Sequence, residues 1–580
     1  MPKVEALYKI PFLIGVVGHR DLLPAEMPQI RAAIERLLRR LKDTFPDTRP
    51  TLLTSMADGA DLLAAEVASD LGMPIITALP FTPDLARADL RADTSRVVFD
   101  RVFGQAEHLE APDLGEDCRD QTVVRDRHYQ RAGALVARYS TLLVAIWDGK
   151  ETNHEAGTAR VVEYRRGGIA PTADEEPLST NALLAAHDND LMYEIRCSRE
   201  RAAGASPGVE VLGFVGAGLV GGEDVPPALA TTLERIAEFN RDIDEFSGEI
   251  AEHGRKLSLP TPYPRPDRLA YLDNLFRSTD WLGTHYRRRF TAALRARYAL
   301  WAAMALLLLS FKKESFGVPG LVTIFGVLLV FALGLVLALW AHRNSWHRKY
   351  LDYRALAEGL RVDFYWEIAG VRRRFDGEFA HESFLQRQDV ELEWIRAAMR
   401  TVSLRLAGAQ NRLLPSGFAD AYAGWIGDDD PVNGSGQLLY YRRRIERLEW
   451  NLRMVESISR VLLFGGLALA LLFAVVVGLE SLGTAILTPG TREILLWLLA
   501  LVTVSAVIFD TYVSEKSDRA LVRQYRYMYS LFGIAARELS SARSEGQKLD
   551  ILRSLGHACL AEHAQWILGH RDKRIEGLRW

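Results

Sequence analysis

GVPGLVTIFGVLLVFALGLVLALWA, residues Gly317–Ala341, contains no charged side chain. A bilayer core of roughly 30 Å asks for about 20 apolar residues in a helix, and this stretch supplies them outright. Val461–Leu479 does the same, and Ile494–Phe509 follows, reaching Val513 if Asp510 is tolerated. Tyr298–Phe311 is shorter and needs its flanks. All four stretches lie in the second half of the chain, so the sequence predicts four transmembrane helices in two hairpins. The half that precedes them reads as a soluble ligand-binding domain.

The 580 residues are too many for one core and suggest roughly three or four domains. A net charge of −3 recruits no nucleic acid, and none is expected as a partner. The three cysteines, Cys118, Cys197 and Cys559, are far apart and have no second Cys or His at ligand spacing. They support neither a disulfide framework nor a zinc site, and they fit a reducing cytosol. The first apolar run, within MPKVEALYKIPFLIGVVGHRD, ends in Gly18-His19-Arg20-Asp21 with no small-residue cleavage pattern, and reads as a strand.

From residue 10 to about 170, strand-like and helix-like patterns alternate. Ile10–Val17, Thr51–Thr54, Pro74–Leu79 and the LLVAIW of Leu142–Trp147 are the strands. Pro28–Leu41, Asp61–Leu71 and Ala156–Arg166 are the helices. That alternation predicts a parallel sheet covered on both faces. Asp84–Gln121 interrupts it as a lid, a rim loop or a solvated helix pair. Residues 171 to 208 are poor in pattern, Glu210–Val215 is a candidate late strand, and Leu229–Gly254 is a charged helix. After the proline-rich Pro260–Pro266, Leu269–Arg297 reads as a helix leading straight into the first span.

The membrane half carries an imperfect internal duplication. Tyr286-Arg287-Arg288-Arg289 and Tyr441-Arg442-Arg443-Arg444 precede the two hairpins, and Lys349–Arg361 and Arg523–Leu539 follow them. Positive charge gathers at Arg287–Arg297, His342–Lys349, Arg442–Arg460 and Lys516–Arg526, against short turns at Lys312–Phe316 and Glu480–Glu493. The positive-inside rule then puts both termini in the cytosol of a multi-pass protein of the inner, cytoplasmic membrane. The expected organisation is a nucleotide-binding domain over 1–220 and a helical linker over 221–297. A first hairpin and its cytosolic helix follow over 298–375, a cytosolic helical segment over 376–460, and the second hairpin with C-terminal helices over 461–580.

Three loops carry the candidate chemistry. In Gly15–Asp21, Gly18 lets backbone N–H groups approach a phosphate, and His19 and Arg20 are in reach of phosphate or base; a tight turn with a solvated arginine fits equally. In Ser55–Asp61, small residues such as Gly59 clear space for a ligand, and Ser55 and Asp58 either bond ribose or cap the next helix. Asp148 and Gly149 follow the strand at Trp147, and Gly157-Thr158 opens a helix whose free N–H groups suit phosphate oxygens. Three such loops on strand ends point to one crevice at the carboxyl edge of the sheet. His128 and Tyr129 either reach that crevice or belong to a surface helix. Asp510, at membrane depth, reads as a functional or an interfacial carboxylate.

IGVVGHRD, SMADGAD and the paired LLVAIWDG and GTARVVEY resemble the SLOG superfamily over about residues 10 to 215. SLOG domains are Rossmann-like relatives of the LOG phosphoribohydrolases and occur at the cytosolic N-terminus of TRPM channels. Of the LOG motif PGG-x-GT-x-x-E, the chain keeps Gly157 and Thr158, with Val161 in the place of the hydrolytic Glu and Glu163 two residues on. The membrane half, with YLDYRALAEGLR after a hairpin, resembles the SLATT class of two-span effectors of bacterial defence systems, here with two hairpins fused. The resemblance implies an α/β Rossmann-like domain joined to an all-α membrane domain with cytosolic helical extensions. It implies binding of a nucleotide second messenger, ADP-ribose-like or cyclic, more than catalysis, and a homo-oligomer acting on the lipid bilayer. A membrane-tethered N-glycosidic hydrolase and a receptor recruiting a soluble partner are the alternatives.

Overall fold

The computed structural model describes residues 9–109, 122–150, 157–167, 191–200, 208–216, 219–257, 259, 267–309, 318–371, 392–407, 416–481, 488–516 and 518–571. They form two compact units. One holds Met1–Leu282, Asp352–Ala421 and Ala542–Trp580; the other holds Gly283–Leu351 and Tyr422–Ser541. The acidic loop Pro171–Pro177, the proline-rich Pro260–Pro266 and the turn Lys312–Phe316 lie outside the described residues.

The first unit is built on a sheet of β1 (Leu13–Gly18), β2 (Thr51–Thr54), β3 (Ile75–Thr77), β4 (Glu107–His108), β5 (Leu142–Trp147), β6 (Met192–Arg196), β7 (Glu210–Gly216) and β8 (Leu219–Val220). Their order is β4-β3-β2-β1-β5-β6-β7-β8. Neighbours from β4 through β6 run parallel, and β7 and β8 close the sheet antiparallel. The chain winds outward from β1 to β4, then crosses back to lay β5 on the other side of β1. The switch point of the topology therefore lies between β1 and β5, where open α/β sheets bind ligands.

The continuous apolar runs of β1 and β5 have a reason in this arrangement. Phe12, Ile14, Val16, Leu142, Val144 and Ile146 enter one core, whereas Leu13, Val17, Leu143, Ala145 and Trp147 enter the other. A strand buried on both faces cannot alternate apolar with polar. The first face is covered by α1 (Met27–Thr44) and α2 (Ala60–Asp70); Ile30, Ala33, Ile34, Leu37, Leu38 and Leu41 form the buried stripe of α1. The Asp84–Gln121 insertion begins as a helix pair, α3 (Pro83–Ala88) and α4 (Asp93–Phe103), and adds edge strand β4. α5 (Thr122–Tyr139) and α6 (Thr158–Gly167) cover the second face.

The charged helix expected over Leu229–Gly254 is two, α7 (Pro227–Glu245) and α8 (Ser247–His253), separated at Phe246. The carboxamide of Asn240 on α7 pairs with both backbone groups of Ile10, accepting from its N–H at 2.9 Å and donating to its carbonyl at 2.9 Å. β6 was hidden in the pattern-poor stretch, because its Glu194 and Arg196 break the apolar run.

α9 (Asp267–Leu309) is one helix of 43 residues, so the expected helix and first span are a single element. α10 (Val318–Arg343) and α11 (Trp346–Ala369) follow. α12 (Glu393–Ala407) belongs to the first unit, where Leu404 joins the second core face and Arg405 pairs with Glu107 at 3.0 Å. α13 (Gly417–Ala421) and a π-turn, Tyr422–Ile426, lead to α14 (Gly436–Ser481), α15 (Pro489–Lys516), α16 (Asp518–Ser541) and α17 (Glu545–Arg571).

Among the described residues, four helices are long and apolar enough to cross a membrane: Leu269–Leu309, the one beginning at Gly320, Gly436–Leu479 and Gly490–Thr511. Leu321, Val322, Phe325, Leu328, Leu329, Phe331 and Val336 on α10 are all more than half exposed, as are Val461, Leu463, Phe464 and Leu471 on α14. Apolar side chains on every side of a helix suit lipid, not water. Small residues mark the packing faces. A methyl on Gly326 would meet Leu307 at 3.6 Å, and one on Gly466 would meet Val502 at 3.3 Å. Arg519–Glu456 and Arg526–Glu449 pair α16 with the basic flank of α14.

Candidate functional site

The carboxyl ends of β1, β2, β3 and β5 come together in the first unit, and most of the predicted residues lie there. Gly18 ends β1. A Cβ there would fall 2.3 Å from Ala60 Cβ and 2.7 Å from the Ile146 carbonyl, so only glycine allows the three backbones to meet. The Ala60 N–H donates to the His19 carbonyl at 3.1 Å, and the His19 N–H donates to Ile146 O at 3.0 Å. The loops after β1, β2 and β5 are thus tied directly to one another.

His19 Nε2 lies 3.0 Å from both Asp148 Oδ1 and the Asp148 backbone nitrogen. Burial lowers the His19 pKa; Arg199 adds to this and Asp148 opposes it. Neutral, Nε2 accepts the Asp148 N–H; protonated, it donates to the carboxylate. Burial works against ionising Asp148, but His19 and the Lys150 N–H outweigh it and hold the carboxyl below its usual range.

Arg20 and Asp58 are engaged by the α3–α4 connector. Arg20 Nη2 donates to Asp89 Oδ2 at 2.8 Å, and its guanidinium lies 4.6 Å over the Tyr129 ring. Asp58 accepts from the Arg91 N–H at 3.0 Å and from Ser95 Oγ at 2.9 Å. Tyr129 meets Phe81 edge-on at 5.1 Å, and His128 is buried at 6.0 Å from the same ring. Of the two alternatives for this pair, Tyr129 belongs to the connector cluster.

Ser55 is buried and donates to Asp61 Oδ2 at 2.6 Å. Asp61, in the first turn of α2, is a site residue that the sequence reading missed. It is fully buried, and burial pushes its pKa up to about 7 against the opposing Ser55 hydroxyl, Gly18 N–H, Arg20 and Ala57 N–H. The second aspartate of SMADGAD is the signal that could have found it. Asp89 and Arg125 carry no such signal, because they lie in charged sequence that reads as solvated.

Gly59 and Gly149 turn the chain after β2 and β5 with positive φ. Gly157 has φ +120° and, among the described residues, nothing within 4 Å of where a Cβ would stand, and its carbonyl opens α6 by accepting from Arg160 and Val161. Thr158 is the first residue of that helix. The N–H groups of Thr158 and Ala159, ahead of that first bond, have no helical partner, which is the feature that binds phosphate elsewhere. Val161 is buried against α5, where a methyl on Gly133 would come within 2.8 Å of its Cγ2. Glu163 turns outward and pairs with Arg160 at 2.6 Å.

Set against family models, curated proteins and solved structures, the chain matches none of them.

Proposed function

We propose that this protein is a membrane effector gated by a phosphate-bearing, nucleotide-derived signal. The ligand occupies the β1/β5 switch point under the α3–α4 connector, and the helical half, as a homo-oligomer, permeabilises the bilayer. The observation that carries this reading is a pairing within one chain. A switch-point site whose Arg20 and Asp58 hold a short connector is joined to four exposed apolar helices of bilayer length. A ligand that binds one arrangement of that connector better than another has the differential affinity that gating requires. The resemblance to SLOG and SLATT proteins supports the same reading and gives it a setting, abortive infection at the bacterial inner membrane.

The hydrolase alternative is weakened by Val161. The place of the family's catalytic carboxylate is apolar and packed between helices, and Glu163 is spent on Arg160. Melting of the full-length protein in nanodiscs against a nucleotide panel tests the binding half of the proposal. A nucleotide that raises the melting temperature without release of free base supports it. Base release at enzymatic rates would replace it with the hydrolase reading.

A further inference from the structure

Three hydrogen-bond donors converge on the carboxylate of Asp89, the residue that follows the last turn of α3. Its Oδ1 accepts from Arg125 Nη2; its Oδ2 accepts from Arg20 Nη2 at 2.8 Å and from the Tyr129 hydroxyl. Arg20 Nε is buried and has no hydrogen-bond partner among the described residues, so the cluster holds a further donor. Two guanidiniums face the Asp89 carboxylate, and Asp58 and Asp61 are the other carboxylates whose charge is felt at this cluster. Planar guanidinium forks and a phenol around a small anion form the kind of site that takes a phosphoryl group. The Asp89 side chain is 16% exposed and those of Arg20 and Arg125 about a third, so solvent-borne ligands reach it.

We propose that Asp89 is a self-ligand. It occupies one phosphate-binding position of the switch-point site, distinct from the α6 N-terminus, and a phosphate-bearing ligand displaces it. This rests on the nucleotide-binding reading above and sharpens it. Asp89 carries one negative charge; a phosphomonoester or an internal pyrophosphate diester carries about two, and a free or terminal pyrophosphate about three, so each meets the two guanidiniums with more charge than the carboxylate it displaces. The site therefore prefers a pyrophosphate-containing nucleotide to a cyclic monophosphate, whose single charge only equals that of the group it must displace. Displacement frees Arg91 and Ser95 from their place beside Asp58, because Asp89 anchors the same connector. The site thereby couples occupancy to the release of α3 and α4.

The test uses full-length protein in nanodiscs, with inorganic pyrophosphate and ADP as probes. Removing the competitor in Asp89→Asn should tighten pyrophosphate binding about tenfold by calorimetry, and adding Arg125→Gln should reverse the gain. In the wild-type protein, pyrophosphate should accelerate tryptic cleavage after Arg91, a readout that does not depend on any variant folding. If ADP binds the wild type but Asp89→Asn binds no tighter, or the connector becomes protected, the self-ligand is wrong and the nucleotide site stands. If neither probe binds either protein, both fall.

Discussion

His19 Nε2 and Asp148 Oδ1 meet at 3.0 Å across the point where the strand order reverses, joining the loops that leave β1 and β5. Both side chains are largely buried. Asp148→Ala leaves the buried imidazole without its carboxylate and should cost about 1–3 kcal/mol of stability. Asp148→Asn, which keeps an oxygen there, should restore most of it. Urea unfolding followed by near-UV circular dichroism compares them; identical midpoints for the two variants and the wild type would show that the tie adds nothing to stability.

Gly157 tests the phosphate end of the crevice. Among the described residues nothing lies within 4 Å of a Cβ there, but φ +120° strains any L side chain by about 1–3 kcal/mol. Gly157→Leu should fold with a lowered melting temperature and lose nucleotide binding, because the side chain would cover the open N–H groups of α6. Full affinity in a folded Gly157→Leu protein would move the site elsewhere.

Asp61 gives stability a pH signature. Below about pH 4 its carboxyl is protonated in folded and unfolded chains alike and costs nothing. Between about pH 4 and its folded pKa of about 7, the unfolded chain ionises while the folded one keeps its proton. Unfolding then releases a proton, so this group's contribution falls as pH rises, and the loss levels off above about 7. Its full extent is on the order of a few kcal/mol. Asp61→Asn should flatten the melting-temperature profile between about pH 4 and 7. The same slope in wild type and variant would assign it to other groups.

The basic flanks give an expected membrane orientation that labelling tests. A cysteine at Gly490 should react with an impermeant thiol reagent from outside intact cells, and one at Ser541 only after permeabilisation. The reverse labelling would invert the topology.

Much of the fold was legible in the sequence. Thr51–Thr54 and Leu142–Trp147 match β2 and β5 residue for residue, since strands buried on both faces are unbroken apolar runs. The spans were legible for the same reason, lipid demanding an apolar surface throughout. β6 was not, because Glu194 is a buried carboxylate that takes the Trp147 indole N–H at 2.8 Å and Arg166 at 2.9 Å. A pattern cannot tell a satisfied buried charge from a solvated one. The site divides in the same way. The glycine turns and His19 were visible as motifs, whereas Asp89 and Arg125 matter only because folding brings α3 and α5 to Arg20.

The most direct measurement is nucleotide-triggered dye release from liposomes carrying the full-length protein. α9 runs uninterrupted from Asp267 to Leu309 and carries the chain from the first unit into the second. A Gly-Pro insertion after Trp281 would break it by removing a backbone donor and clashing with the preceding turn. A pyrophosphate-containing nucleotide should release dye from wild-type liposomes in a saturable way. The insertion variant should bind the nucleotide equally but release none. Release that is the same with and without nucleotide, or that survives the insertion at full strength, would contradict gating through this helix.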